Sequence, residues 1–419
     1  MGALGYSLIG LLAAAGTPIF VVMSLFAMLA FYLAEIEISA VAIEIYRLAQ
    51  APTLLTIPLF TFAGYLLAES KSPQRLLRLA EAFLGWMPGG VAIVSLCVCA
   101  FFTAFTGASG VTIIALGGLI YPMLIKEQYS EKFSLGLITT SGSLGLLFPP
   151  SLPIILYGIV AKVDINELFL AGIIPGALLV FILAGWSVYN GKGGKTTRIP
   201  FSVKNALGAI KEARYELPLP LIILGGIYGG LITVTEAAAI TAFYTLVMVV
   251  VLYKDIKVKQ QLPSIVKDSM TLVGAILLIL ACALGLTNYL VDEEVPMKIL
   301  AAMKELIQNK WMFLLCLNVF LLIVGSLMDI FSAIIVVVPL ILPIAQEFNV
   351  HPIHLAIIFL TNLEIGYITP PVGINLFISS FRFDKSVLSI YKASAPYLIL
   401  LLSALVLITY VPWLSLAWV

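Results

Sequence analysis

The sequence predicts an all-α polytopic membrane protein of two inverted repeats, each holding a re-entrant helical hairpin and a broken helix. Three observations carry that expectation. Of the 419 residues, 61% are hydrophobic and 11% charged, whereas ordinary soluble domains carry about 25% charged residues. Mean hydropathy is +1.11, more apolar surface than a soluble core absorbs, and the apolar runs have the ~20-residue length of membrane-crossing helices without the alternation of barrel strands. A Pro-Pro pair stands inside two of those runs, in Gly145-Leu-Leu-Phe148-Pro149-Pro150-Ser151 and in Gly366-Tyr-Ile-Thr369-Pro370-Pro371-Val. Proline removes a backbone donor and clashes with the preceding turn. A helix broken at membrane depth persists only where the freed backbone lines a cavity or is buried in protein, and matched breaks in two halves point to a transport site. Finally, one offset of 221 residues carries Pro122 to Pro343, Gly145 to Gly366, Pro149 to Pro370, Pro150 to Pro371 and Pro175 to Pro396.

Taken in order, residues 1–33 are apolar and interrupted at Gly16-Thr17-Pro18, as one kinked span or two short ones. A polar connection, 34–51, sets Glu35, Glu37 and Glu44 against Arg47, and a span covers 52–69. Residues 71–85 mix Lys71, Arg75 and Arg78 with Leu76, Leu77 and Leu79, the composition of an interfacial amphipathic segment. The first hairpin is 86–125, turned by Thr106-Gly107-Ala108-Ser109-Gly110, because glycine and hydroxyl residues turn a chain well and cross lipid poorly. The first broken helix is 133–161, and a span follows at 169–189. Residues 190–216 form the long hydrophilic loop, with Lys192, Lys195, Arg198, Lys204, Lys211 and Arg214 against Glu212 and Glu216, which the positive-inside rule places in the cytoplasm. Spans at 217–232, 235–253 and 265–290 and a mixed connection 291–310, opening with Asp292-Glu293-Glu294, lead to the second hairpin, 311–345, turned at Gly325-Ser326-Leu-Met328-Asp329. The second broken helix is 353–381 and the last span 394–417. The organisation is therefore a first repeat 1–190, a cytoplasmic linker 191–216 and a second repeat 217–419.

If Gly16-Thr17-Pro18 separates two spans, each half has an odd number of crossings, and the second half is inverted relative to the first. The N-terminus then lies outside, the first hairpin opens to the cytoplasm and the second opens outward. Basic 71–85, Lys254–Lys267 and Arg382–Lys392 fall inside, and acidic 34–51 and 291–295 fall outside.

Several function classes are set aside. A net charge of +1 offers nothing to nucleic acid. Cys97, Cys99, Cys282 and Cys316 lie in apolar runs without metal-ligand or disulfide spacing and read as core packing. His351 and His354 lack a third ligand beside them, and the N-terminus lacks the basic region and cleavage site of a removable signal. No phosphate-binding glycine loop, His-Glu-x-x-His or Gly-x-Ser-x-Gly motif is present, so the expectation is a transporter and not an enzyme.

The half-helix ends at the breaks carry the candidate chemistry. Unwound carbonyls suit a hard monovalent cation, and N-terminal N–H groups suit an anion. Cation candidates in the first half are Thr106, Gly107, Ser109 and Gly110 at the hairpin tip, opposite Gly145, Phe148 and Pro149. In the second half they are Gly325, Met328, Asp329 and Ser332, opposite Gly366, Thr369 and Pro370. Substrate candidates are Ser141, Ser143 and Ser151 around the first break, and Asn362, Glu364 and Asn375 around the second. The bland alternative is that these small and polar residues serve close helix packing, as does Gly225-Gly226-Ile-Tyr-Gly229-Gly230. Asp329 stands out, because a charge at the bilayer centre costs roughly 2.5–3.5 kcal/mol on insertion scales. It ligates a cation, carries a coupling proton or caps the hairpin's second helix; the first half has Ala108 at the matching position. Glu236, opening its helix after Thr233-Val-Thr235, reads as an acid at a helix's positive end.

Leu59-Phe60-Thr-Phe-Ala-Gly64, Thr106-Gly107-Ala-Ser109-Gly, Gly145 to Pro150, Thr235-Glu236-Ala-Ala, Asp329 with Pro339–Pro343, and Thr369-Pro-Pro-Val-Gly-Ile-Asn375-Leu-Phe resemble the large membrane subunit of tripartite ATP-independent periplasmic (TRAP) transporters. The likeness runs nearly end to end; relatives often carry a second serine where this chain has Ala108. The resemblance implies an elevator-type ion-transporter architecture and sodium (Na+)-coupled import of carboxylates such as sialic acid or C4-dicarboxylates. It also implies two partners, a small four-helix membrane subunit and a periplasmic substrate-binding protein, and a place in the bacterial inner membrane. Two rivals remain: a stand-alone ion-coupled anion transporter or antiporter needing no binding protein, and an intramembrane enzyme, which the lone Asp329 disfavours.

Overall fold

The structure, a computed structural model, describes residues 2–35, 43, 46, 50–191, 201–294, 297, 298, 307 and 309–419. Glu37, Glu44, Arg47, Lys192, Lys195, Arg198 and most of 291–310 lie outside the described residues. Among the described residues all regular elements are helices, and eight are long and apolar enough to cross a membrane.

The N-terminal apolar run is two helices, α1 (Gly2–Ala14) and α2 (Ile19–Leu33), packed on each other across the turn at Gly16. After a 3-10 turn at Pro52–Leu55 come α3 (Thr56–Glu69) and the amphipathic α4 (Ser72–Leu84). The first hairpin is α5 (Gly90–Thr106) and α6 (Ser109–Lys126), turned at Gly107 with φ +63°. The first broken helix is α7 (Glu131–Ser141), a 3-10 turn (Leu144–Leu147) and α8 (Leu152–Ala161), bent by 43°. A 27-residue helix, α9 (Ile165–Gly191), follows.

The hydrophilic loop expected over 190–216 is not all loop. It contains α10 (Val203–Glu212), whose Ala206 and Ala209 are buried on the α4 side while its lysines face out. Ala206, Ala209 and Ala213 repeat at helical spacing on the buried side, while Val203, Leu207 and Ile210, also at helical spacing, are exposed. Then come α11 (Pro218–Tyr228), which widens to a π-turn at Leu221–Gly225, α12 (Val234–Leu252) and α13 (Leu262–Asp292). A capping box starts α12: Thr233 accepts from Glu236 N, and the Glu236 carboxylate accepts from Thr233 N. The acid serves the helix's positive end as its position suggested.

The second hairpin is α14 (Lys310–Leu327) and α15 (Ile330–Glu347), and the second broken helix is α16 (Pro352–Gly366) and α17 (Ile374–Phe383). The chain ends with α18 (Val387–Tyr410) and the short α19 (Trp413–Leu416). Both Pro149-Pro150 and Pro370-Pro371 bonds are cis. The bounds of α15 lie 221 residues beyond those of α6. At 18 residues, α6, α14 and α15 are near the ~20 needed to span.

The halves interlock. Helix α17 of the second packs on α6 of the first, and α8 of the first packs on α15 of the second. Likewise α18 lies along α7, and α9 along α16. Helices α2, α3, α12 and α13 form a further group, with α13 against α2 and α3; this group also meets the hairpins, α13 packing on α15 and α3 on α5. One correction concerns the cysteines: Cys99 and Cys282 are buried, but Cys97 is half-buried and Cys316 exposed. Cys316 shares the outward stripe of α14 with Trp311, Met312, Leu315, Val319 and Ile323, all exposed, because a membrane helix keeps apolar residues on its lipid face too.

Candidate functional site

Beside each break a hairpin arm presses on the backbone of the broken helix. A Cβ added at Gly366 would lie 2.5 Å from the Gly325 carbonyl carbon, so α14 and α16 meet backbone to backbone. A Cβ at Gly145 would lie 2.6 Å from the Thr103 Cβ, and one at Gly107 would lie 2.6 Å from the Leu152 side chain. The candidate residues Gly145, Gly325 and Gly366 therefore sit at contacts that no larger residue fits.

Hydroxyls gather at the first junction. Thr103 Oγ1 donates to Gly142 O at 2.8 Å and pairs with Thr112 Oγ1 at 2.7 Å, with Thr106 Oγ1 3.5 Å from Thr112. Gly145 O accepts from Phe148 N, and Phe148 O accepts from Ser151 N, each at 3.0 Å. A carbonyl oxygen has two lone pairs, so each keeps one. The Phe148 ring packs against Gly176 of α9, and Pro149 is half-buried.

At the second junction Asp329 is the N-cap of α15. Its Oδ1 accepts from Phe331 N and Ser332 N at 3.0 Å each, and its Oδ2 accepts from Ser332 Oγ at 2.5 Å. That is the capping alternative raised for it, and it leaves Oδ2 lone pairs unused. Met328 is half-buried beside it, Gly366 O accepts from Thr369 N at 3.0 Å, and Pro370 is exposed. Tyr367 accepts from Ile330 N at 2.8 Å, and Ser326 O accepts from Gly373 N at 3.1 Å, tying tip to break.

The substrate candidates divide. Ser109 Oγ donates to Asn375 Oδ1 at 2.7 Å, Asn375 Nδ2 donates to Thr139 O at 3.3 Å, and Thr139 Oγ1 donates to Ser379 Oγ at 2.9 Å. The first tip and the second break thus share one polar network. Ser141 and Ser143 are buried and donate to their own helix at Ile138 O and Thr140 O. Asn362 turns to α14, where Nδ2 donates to Asn318 Oδ1 at 2.7 Å, and Asn318 reaches Thr409 on α18. His354 lies between Ser415 and Thr409 O in the same region.

Unpartnered buried atoms concentrate on the two broken helices: Thr140 Oγ1, Ser151 Oγ, Tyr157 OH, Asn362 Oδ1 and both carboxylate oxygens of Glu364. Buried polar groups are nearly always paired, and these six atoms are the exceptions on the two broken helices. Glu364, 0% exposed, is the most demanding of them.

Sequence reading missed the ionic cluster at the base of α4. Arg75 binds Glu216 at 2.5 Å and Asp255 at 2.7 Å, with its guanidinium carbon 3.7 Å from the Tyr253 ring centre. The Glu216 side chain is 0% exposed and also accepts from Ser72 and Tyr253. Burial pulls the Arg75 pKa down, but hydrogen bonds to Asp255 and Glu216 outweigh it and hold it above its ordinary value. The partners lie 141 and 180 residues away, beyond any local signal. Among the described residues no group of three or more His, Cys, Asp or Glu side chains is placed to hold a metal ion.

The family described as "Tripartite ATP-independent periplasmic transporter, DctM component" matches residues 6–414. The C4-dicarboxylate TRAP transporter large permease protein DctM of Pseudomonas aeruginosa is 35% identical over 382 residues, 91% of this chain and 89% of that protein. The isethionate TRAP transporter permease protein DctMQ of Oleidesulfovibrio alaskensis is 36% identical over 361 residues, 86% of this chain and 57% of that protein. Among solved structures, the Alcanivorax borkumensis YdaH transporter, described as having an unusual topology, aligns with a TM-score of 0.62 over 91% of this chain and 88% of that one. Its sequence identity is 14%, a likeness of fold alone.

Proposed function

The chain belongs to the DctM-component family of tripartite ATP-independent periplasmic transporters, and from that premise we propose that it is the large membrane subunit of a sodium-coupled organic-anion importer. The substrate class is a carboxylate or similar small anion, in keeping with relatives named for C4-dicarboxylates and isethionate. A periplasmic substrate-binding protein delivers the anion, a small four-helix membrane subunit completes the complex, and the site is the bacterial inner membrane.

The observation that carries this reading is the pairing of hairpin tip and broken helix in both halves, glycine against backbone at Gly145 and at Gly325–Gly366. Each junction, in this reading, supplies the cation's oxygen ligands. The first has the carbonyls of Gly107, Gly145, Phe148 and Pro149 with the hydroxyls of Thr106 and Ser109. The second has the carbonyls of Gly325, Met328, Gly366, Thr369 and Pro370 with Asp329 Oδ2. Oxygen-only sets at helix ends suit sodium, a co-transported substrate, and the adjoining N–H groups suit an anion's charge. The anion's contacts in this reading include Asn375, bonded to Ser109 of the other half, and Ser151, at the start of α8. In this reading the two halves are inverted repeats, and the hairpins with the broken helices move together, elevator-fashion, against the α2–α3–α12–α13 group.

Sodium binding to the purified chain is the test. A ligand that binds only the native state raises its stability, by about 2.7 kcal/mol at a hundredfold excess over Kd. Sodium, and not potassium or choline at equal ionic strength, raises the melting temperature, and Gly145→Ala and Gly366→Ala each reduce that increment. Equal effects of the three cations would overturn the coupling claim.

A further inference from the structure

We propose that the cleft between the starts of α7 and α18 binds the phosphate-bearing headgroup of an anionic membrane lipid. The cleft has a volume of about 310 Å³ and is walled by Lys132 on α7 and by Lys385, Ser389 and Lys392 around the start of α18. Glu131 lines it too, and its floor is apolar, with Leu135 and Ala393 buried at 3% and 2% exposure.

Charge decides the ligand's sign. The first turn of α7 and residues 382–392 together hold Lys132, Arg382, Lys385 and Lys392 against Glu131 and Asp384. The Glu131 carboxylate is already engaged, by Lys385 Nζ at 2.6 Å and the Tyr121 hydroxyl at 3.1 Å. Lys132 and Lys392 have no acidic partner among the described residues. Two unpaired ammonium groups facing one cleft, with the Ser389 hydroxyl beside them, match a phosphodiester that accepts several hydrogen bonds at once.

The surroundings select a lipid over a soluble phosphate. On the same corner Phe381 is 91% and Leu388 62% exposed, and large apolar side chains next to lysines are at home at the headgroup boundary, not in bulk water. An amphiphile satisfies both, with its phosphate in the cleft and its acyl chains against the apolar side chains. The corner lies on the cytoplasmic side in the orientation proposed above, where anionic lipids attract basic residues. The lysines themselves belong to neither junction, so a failure of sodium coupling leaves this inference standing.

The experiment titrates the purified chain in detergent with phosphatidylglycerol, phosphatidylcholine or inorganic phosphate, and reads bound lipid by native mass spectrometry alongside the melting temperature. Phosphatidylglycerol is retained and raises the melting temperature, and the other two do not. Each of Lys132→Gln and Lys392→Gln weakens retention roughly fivefold and the pair roughly 25-fold, from about 1 kcal/mol per lysine at an anionic surface. The Lys132→Arg/Lys392→Arg pair keeps the binding, and Lys257→Gln on another turn leaves it unchanged. Should the double Gln variant fail to fold, the single variants carry the same reading. Equal retention of phosphatidylcholine, or undiminished phosphatidylglycerol binding in the Gln variants, overturns the proposal. Inorganic phosphate acting alone at millimolar concentration assigns the cleft to a soluble anion and overturns the lipid.

Discussion

The Ser109 hydroxyl donates a 2.7 Å hydrogen bond to the side-chain carbonyl of Asn375, 266 residues away in the other half of the chain. Both residues are buried, so Ser109→Ala leaves Asn375 Oδ1 without its donor, at a cost of about 1–3 kcal/mol. Uptake is expected to fall with stability. A double-mutant cycle with Asn375→Ala should return a coupling energy of about 0.5–3 kcal/mol. Additive losses would mean that the two residues act independently.

Gly366→Ala tests the second junction. Its methyl group would lie 2.5 Å from the Gly325 backbone, whereas a Cβ at Gly274 on α13 meets nothing within 4 Å. Overpacking of this kind costs about 1–3 kcal/mol. Gly366→Ala is therefore expected to lower the melting temperature and abolish uptake, and Gly274→Ala to leave both near wild type. Similar behaviour of the two variants would remove the junction's special standing.

Arg75→Ala strands the buried Glu216 carboxylate. Breaking a buried pair by removing one partner costs about 3–5 kcal/mol, so the melting temperature should drop sharply. Adding Glu216→Gln removes the unpaired charge and should recover part of the loss. No recovery would show that the loss comes from packing of the Arg75 stem on Tyr253 rather than from charge.

Glu364→Gln keeps the shape of a fully buried side chain whose two carboxylate oxygens have no partner. Replacing it removes the group that most needs a solute, so uptake should fall at least tenfold while the melting temperature stays level or rises. Uptake at the wild-type rate would reduce Glu364 to a structural oddity.

Much of the architecture was legible because proline and glycine act locally. The two Pro-Pro pairs mark both breaks, Gly107 marks the first tip, Met328-Asp329 the second, just past Gly325-Ser326 in the last turn of α14, and Gly16 separates α1 from α2. Glu236 announced its capping box by spacing alone. What stayed hidden depends on distant partners. Nothing near Arg75 names Glu216, and nothing near Asn375 names Ser109. Asp329 drew attention as a charge in apolar sequence, yet its carboxylate caps α15. Glu364, one turn before the second break, is the acid left without a partner. Both are single acids in apolar runs, and only the folded neighbourhood separates them. The basic loop hid α10, although Val203, Leu207 and Ile210 stand at helical spacing within it; those three stay exposed, and the helix buries Ala206 and Ala209 instead.

Uptake of a radiolabelled C4-dicarboxylate into proteoliposomes tests the central claim most directly. The vesicles hold this chain with its small membrane subunit, the binding protein is outside, and an inward sodium gradient is compared with a potassium gradient of equal size. Accumulation only with sodium and only with the binding protein is the expected result. Accumulation that is equal in potassium, or that needs no binding protein, would contradict a sodium-coupled tripartite importer.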